Sequence, residues 1–258
     1  MRINTNVGAL DAARNLFMVQ REVGQSMGKL SSGLRINKAS DDAAGLAIAN
    51  NLRTSTRALT QAANNAEQAN AMLQIAEGSA TQIQRILERQ KELFIQRASS
   101  QNSGQTAALD SEYSTLSSEA SRILAATNFQ GTAVFGTSLS FKVSDTTASG
   151  ADTIAISIAL TTSDVSAGTS AATDVTTLLN SVNTALGTIG AAQNRLGYTI
   201  ASIKSAIVNQ SAAESTIRDV DMAAEMATFT KNNILAQAGT AMLAQANQSG
   251  QSVLSLLR

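Results

Sequence analysis

Apolar positions recur along this chain by alternate steps of four and three residues. The longest series is Ile48, Leu52, Leu59, Ala62, Ala66, Ala69, Leu73, Ala76, Ala80, Ile83, Leu87 and Phe94, interrupted only by Ser55 and Gln90. A 3.5-residue period held over roughly six heptads predicts one long helix whose seam is buried against other helices. At about 1.5 Å per residue it is a rod of roughly 70 Å. A second rod has the same grammar: Val175, Leu179, Val182, Leu186, Ile189, Leu196, Ile200, Ile203, Ile207 and Ile217, with polar breaks at Gln193, Gln210 and Glu214. The two stripes are each other's natural partners. A shorter helix with Leu109, Tyr113, Leu116, Ala120 and Ile123 on one face completes the bundle, after a turn formed by Ser99, Ser100, Asn102, Ser103 and Gly104.

Helices are expected at both ends too. From Ala9 the stepping gives Ala13, Leu16, Gln20, Val23, Met27, Leu30 and Leu34, beside a second stripe of Ile3, Val7, Leu10 and Phe17. Near the other end it gives Leu235, Gly239, Met242, Ala246, Ser249, Val253 and Leu256, with Met222, Met226, Phe229 and Leu243 on adjoining faces. Two stripes on one helix call for more than one neighbour. These helices are poor in large apolar residues, so an isolated pair barely offsets its ordering entropy. Disorder in the free chain and folding on association are the expectation.

In the middle the period changes to two. Leu139, Phe141 and Val143 alternate with Ser140 and Lys142, and Ile154, Ile156, Ile158 and Leu160 alternate with small or polar residues. This predicts a β-hairpin joined by Asp145 to Asp152, with Thr161 to Asp174 as an exposed loop. The fold class is therefore mainly α: an elongated antiparallel helical bundle or coiled coil with a small β-hairpin region.

Composition sharpens that picture. There is no Pro, Cys, Trp or His, and the net charge is zero. Uninterrupted helices are allowed everywhere, and thiol and histidine chemistry are excluded, with them catalytic triads and His zinc sites. Charge balance points to neither nucleic acid nor an anionic membrane surface. No apolar run reaches the length of a membrane span. Arg2, Asp11 and Arg14 fall where a secretory signal would need its apolar segment, so a cleavable signal peptide is not expected. No cofactor site and no catalytic constellation are found; the chain is read as no enzyme.

The segment between the first two helices carries Arg35, Lys38, Asp41 and Asp42. Ser40 or Asp41 suits the N-cap of the long helix, and the opposed charges suit ion pairs within or between chains. Paired carboxylates for catalysis or a cation are the minor alternative.

INTNVGAL at Ile3 to Leu10, followed by LSSGLRINKASDDAAGLAIA, resembles the N-terminal signature of bacterial flagellin. The likeness returns in NRLGYTI from Asn194, RDVDMAAEM from Arg218, NILAQAGTAMLAQANQ from Asn233 and VLSLLR from Val253, while Gly250 stands where many family members carry proline. On residues alone, a filament subunit and a secreted, non-polymerising coiled-coil binding module compete evenly. The resemblance favours the subunit of the tubular flagellar filament that drives swimming, with a hook–filament junction protein as the alternative inside the family.

It also implies a division into 1–44, the N-terminal helix and linker of an inner, filament-core domain; 45–218, the bundle, with its hairpin at about 132–160; and 219–258, the C-terminal helix of the inner domain. Subunit packing is expected at Leu16, Val23, Met27, Leu30, Leu34, Arg35, Asp41, Asp42, Leu235, Met242, Val253 and Leu256. Partners implied by the resemblance are further copies of the chain, an export chaperone on the C-terminal helix, filament cap and hook-junction proteins, and a host Toll-like receptor. Receptor contact maps to LERQKELFIQ, at Arg89 and Leu93, and to Glu119. Export through the flagellar secretion channel to an extracellular filament is the implied route.

Overall fold

A computed structural model describes residues 6–99, 104–145, 153–161 and 172–256, without the side chains of 172–174 and 249–256. The expected helical architecture is present: α1 (Val7–Ser32), α2 (Ala43–Ala98), α3 (Thr106–Ala126), β1 (Asn128–Phe129), β2 (Thr132–Ala133), β3 (Ser138–Lys142), β4 (Thr153–Ser157), α4 (Ala172–Arg218) and α5 (Met222–Leu256). The chain divides into two compact units, one of Met1–Thr54 with Asn209–Arg258 and one of Ser55–Val208.

In the Ser55–Val208 unit, α2 supplies the spine of the core. Leu59, Ala62, Ala66, Ala69, Leu73, Ala76, Ala80, Ile83 and Leu87 are buried together with Val182, Ile189, Leu196 and Ile203 of α4 and Ala120 and Leu124 of α3. The many alanines let helix backbones approach closely, so packing rather than side-chain bulk fills the seam. Cross-links fix antiparallel directions: Gln193 Nε2 donates to Glu77 Oε2 at 2.9 Å and Lys204 Nζ to Glu67 Oε1 at 2.9 Å, while Gln90 Nε2 donates to the Tyr113 carbonyl at 3.3 Å. At its end the α2 seam drifts. Leu93, not Phe94, is buried, packed with Tyr113 and Val175 in a cluster separate from the main seam.

The hairpin is formed by β3 and β4 as expected, with Leu139 opposite Ile156 and Phe141 opposite Ile154. Ile154 and Ile156 are buried in the same core as Val134, Phe135, Ile158 and Leu160. Ser55 Oγ donates to Asp145, and Asn65 Nδ2 to the Lys142 carbonyl at 3.3 Å, which ties β3 to α2. A second, two-residue hairpin of β1 and β2 turns at Gln130 (φ 52°) and Gly131 (φ 82°). Positive φ at both turn positions is the tight hairpin geometry that glycine eases. Helix α4 begins at Ala172, inside the stretch expected as loop; alanine propagates a helix and did not mark a break. Ser100, Asn102 and Ser103, residues 146–152 of the hairpin connection and 162–171 of the expected loop lie outside the described residues.

The other unit pairs α1 with α5 in antiparallel fashion, and both are helical in the single chain, where the sequence suggests disorder. Each finds one partner stripe in the other. On α1 the covered line is Ala9, Ala12, Leu16, Val19, Val23, Ser26 and Leu30; on α5 it is Glu225, Phe229, Asn232, Ala236, Gly239, Leu243 and Ala246. Both lines keep the 3.5-residue period and share Ala9, Leu16, Val23 and Leu30 on α1 and Gly239 and Ala246 on α5 with the expected ones, while the intervening positions shift by one residue. Ala13, Gln20 and Met27 face outward, and so do Leu235 and Met242. Asn6 Nδ2 donates to the Ala246 carbonyl at 2.8 Å and thereby locks the open end of the pair. Ile3 lies outside the described residues. Among the described residues no helix is long and apolar enough to cross a membrane.

Candidate assembly surface

The segments that connect the helices of the first unit form a clasp. Gly33, in the left-handed region at φ 70°, ends α1 by donating its N–H to the Lys29 carbonyl at 2.9 Å. Glycine takes this conformation without the Cβ penalty. Residues 33–36 then run beside 217–220: Arg35 N donates to the Arg218 carbonyl at 2.6 Å, Val220 N to the Gly33 carbonyl at 3.1 Å, and Leu34 bridges Asp219. Arg35 Nη2 donates to the Ile217 carbonyl at 2.7 Å. A cation there meets the negative end of the α4 dipole. Glu214 and Arg218 form a mostly buried pair at 3.5 Å.

The two aspartates have separate local tasks. Asp42, not Ser40 or Asp41, caps α2, accepting from Gly45 N at 2.9 Å. Asp41 Oδ2 accepts from Lys38 N at 2.9 Å and Asn37 N at 3.1 Å. These backbone donors, Lys38 first, hold its carboxyl below the ordinary aspartate range. Within the chain neither forms an ion pair with Arg35 or Lys38, because backbone amides a few residues away satisfy the carboxylates. Ile36 of the linker is buried, and a β-carbon at Gly45 would stand 2.8 Å from Ile36 Cδ1. Gly45 thus lets the linker close against the first turn of α2.

Outside the clasp, apolar side chains accumulate on the surface. Val7, Leu10, Phe17, Met18 and Met27 of α1 are exposed, as are Met222, Met226, Ile234, Leu235 and Met242 of α5; Ile48 is exposed at the start of α2. The other unit exposes Ile75, Ile95, Tyr198 and Val208. Leu10 and Phe17, two turns apart, share one face of α1, and large apolar side chains left outward on both helices of one pair make that pair the candidate interaction site.

Among the residues expected to pack between subunits, Leu16, Val23 and Leu30 are half-buried on the line that faces α5, and Leu34, Arg35, Asp41 and Asp42 are engaged within the chain. Met27, Leu235 and Met242 are exposed. Val253 and Leu256 belong to α5 but lie outside the described side chains. Phe17 and Ile234 are outward apolar residues that the packing set omitted; Phe17 was on the second α1 stripe, which was the available signal.

On the α2–α3 face, Arg89 donates to Glu112 Oε1 from Nε at 3.1 Å and Nη2 at 2.9 Å, and from Nη1 to Glu92 at 3.1 Å. The Glu112 hydrogen bond, then that of Glu92, raises the guanidinium pKa. Glu119 accepts from Arg122 at 2.6 and 2.8 Å, and that hydrogen bond lowers its pKa. Arg89 and Glu119 are accessible but do not pair with each other. Leu93 is 1% exposed and packs inward. It supports this face from beneath and does not offer a direct contact, which corrects the expectation for that residue.

Comparison with known proteins fits this architecture. Residues 3–140 match the bacterial flagellin N-terminal helical region and residues 172–257 the bacterial flagellin C-terminal helical region. The chain is 40% identical over 272 aligned residues to a flagellin of Halalkalibacterium halodurans, 100% of both chains being covered. It is 38% identical over 307 residues to a flagellin of Bacillus subtilis and 38% over 286 residues to the flagellar filament 33 kDa core protein of Treponema phagedenis, again with 100% of both chains covered.

Proposed function

From the premise that this chain belongs to the bacterial flagellin family and is a structural subunit of the flagellar filament, we propose that the α1–α5 pair is the part that meets neighbouring subunits and lines the inner tube. The observation that carries this is the outward apolar surface of that pair, Phe17, Met27, Ile234, Leu235 and Met242 among it. At roughly 25 cal/mol per Å² of apolar area, covering such residues by several neighbours drives association. The pair's own seam leaves these large residues uncovered, so assembly buries apolar area that the pair alone does not.

The domain division follows the same logic: 1–44 and 219–258 act as the filament core, and 45–218 as the outer wall. An export chaperone fits the exposed apolar residues of α5, since holding them covers the surface that would otherwise polymerise early. Passage through the flagellar secretion channel, capping of the growing tip and attachment at the hook junction complete the reading. A Toll-like receptor would meet the Arg89 and Glu119 face. The family match displaces the reading as a non-polymerising coiled-coil binder, and full-length likeness to filament flagellins favours the bulk subunit over a junction protein.

Electron microscopy after seeded or salt-induced polymerisation tests the assignment of surfaces. Density for a narrow-lumen tube with α1 and α5 innermost is expected. A tube lined by the α2–α3 face would overturn it.

A further inference from the structure

We propose that the methionines of the α1–α5 pair form an oxidation site that blocks assembly of the free subunit; this rests on the reading of that pair as the assembly surface. Among the described residues, Met18 (40% exposed), Met27 (55%), Met222 (48%), Met226 (48%) and Met242 (63%) all lie on α1 or α5. The remaining described methionine, Met72, is 2% exposed in the core of the other unit. The chain has no cysteine and no tryptophan, so thioethers are its most readily oxidised side chains.

The chemistry is a two-electron oxygen transfer from hydrogen peroxide. The sulfur lone pair attacks one peroxide oxygen, the O–O bond breaks, an S=O bond forms, and the other oxygen leaves as water after proton transfer. The thioether becomes a sulfoxide and peroxide is reduced. A flexible apolar group turns into a polar one, which disrupts methionine-rich interfaces. On a free subunit the sulfoxide oxygen remains hydrated and costs little. Covered by a neighbouring chain, it loses that water and assembly becomes unfavourable. Met222 and Met226, one helical turn apart, place two such groups on one patch of α5. Reversal requires a thiol-dependent methionine sulfoxide reductase acting on the free subunit, with one enzyme for each sulfoxide epimer.

The test treats full-length subunit with hydrogen peroxide, maps sulfoxides by peptide mass spectrometry and measures seeded polymerisation by sedimentation. Expected are sulfoxides at the five exposed positions with Met72 unmodified, a rise of about tenfold or more in critical concentration, and recovery after treatment with both reductases. Preformed filament should resist modification at the same five positions. A variant carrying M18L, M27L, M222L, M226L and M242L, volume-conserving changes, should assemble equally before and after peroxide. Unimpaired assembly of the oxidised wild type, or equal loss by the leucine variant, would overturn the proposal. Untreated wild type is the control arm: its own failure to polymerise would remove the assembly reading and this inference with it.

Discussion

Gly239 of α5 faces Leu16 of α1 so closely that a β-carbon on the glycine would stand 3.2 Å from Leu16 Cδ1. The two helices meet there without room for a branched side chain. Gly239→Ala gains up to about 1 kcal/mol of helix propensity, which offsets a small displacement of one flexible leucine methyl. Gly239→Val overpacks the seam, at about 1–3 kcal/mol. Amide exchange along α5 should be unchanged in the alanine variant and faster in the valine variant. Equal protection in all three proteins would contradict close packing at this point.

Gln90 is the buried polar residue of the α2 seam, and it donates to a Tyr113 carbonyl that already sits within a helix. Losing that bond leaves no orphan carbonyl, so Gln90→Leu should hold or raise stability by up to about 1 kcal/mol in urea unfolding. Gln90→Glu buries an unpaired charge and should cost several kcal/mol at neutral pH, on the order of 3. Burial raises the folded pKa of that new carboxyl, so the loss should shrink as pH falls and the group protonates. A glutamate variant as stable as wild type at pH 7 would contradict the burial of this position.

Asp41 has a folded pKa below the ordinary value because Lys38 and Asn37 amides bind its ionised form. Its contribution is therefore complete above the unfolded pKa of about 3.9 and is lost as pH falls through the lower folded value. Asp41→Asn should flatten the acid limb of the stability curve below about pH 4. Its effect on the alkaline side should be a constant offset. An acid limb identical to that of wild type would show that Asp41 is not bonded in this way.

Arg89 stands exposed between Glu92 and Glu112. Surface pairs of this kind contribute about 0–1 kcal/mol, so Arg89→Ala should leave the thermal midpoint nearly unchanged while weakening activation of a Toll-like receptor by the monomer. Leu93→Ala should instead lower stability by about 2–5 kcal/mol, as a core leucine does. If Arg89→Ala activates as strongly as wild type, the receptor surface lies elsewhere.

The phase of the terminal helices explains how far the sequence could be followed. Ser26 is buried and its neighbour Met27 is exposed; Asn232 is buried and Ile234 and Leu235 are exposed. Assigning larger apolar residues to the inside misplaces Met27, Leu235 and Met242, because that rule assumes the inside belongs to the same chain. The intrachain seam mixes small residues with Leu16, Val23, Leu30, Phe229 and Leu243, while Phe17, Met27, Ile234, Leu235 and Met242 face outward. In α2 and α4 the rule worked, since Leu73, Ile83, Ile189 and Leu196 find their partners within one unit. The hairpin register of Phe141 with Ile154 was also legible from strict alternation, whereas the clasp of Gly33 with Val220 was not. It depends on backbone hydrogen bonds between distant segments, which side-chain pattern does not encode.

The central claim is that outward apolar residues of the α1–α5 pair drive polymerisation, and the critical concentration of Phe17→Asp with Ile234→Asp tests it most directly. Both positions are exposed in the single chain, so helix content and thermal midpoint of the free subunit should stay near those of wild type. Burying either charge against a neighbour is costly. Seeded sedimentation should therefore find no polymer at concentrations where wild type assembles fully. Filaments forming at the wild-type critical concentration would contradict the account.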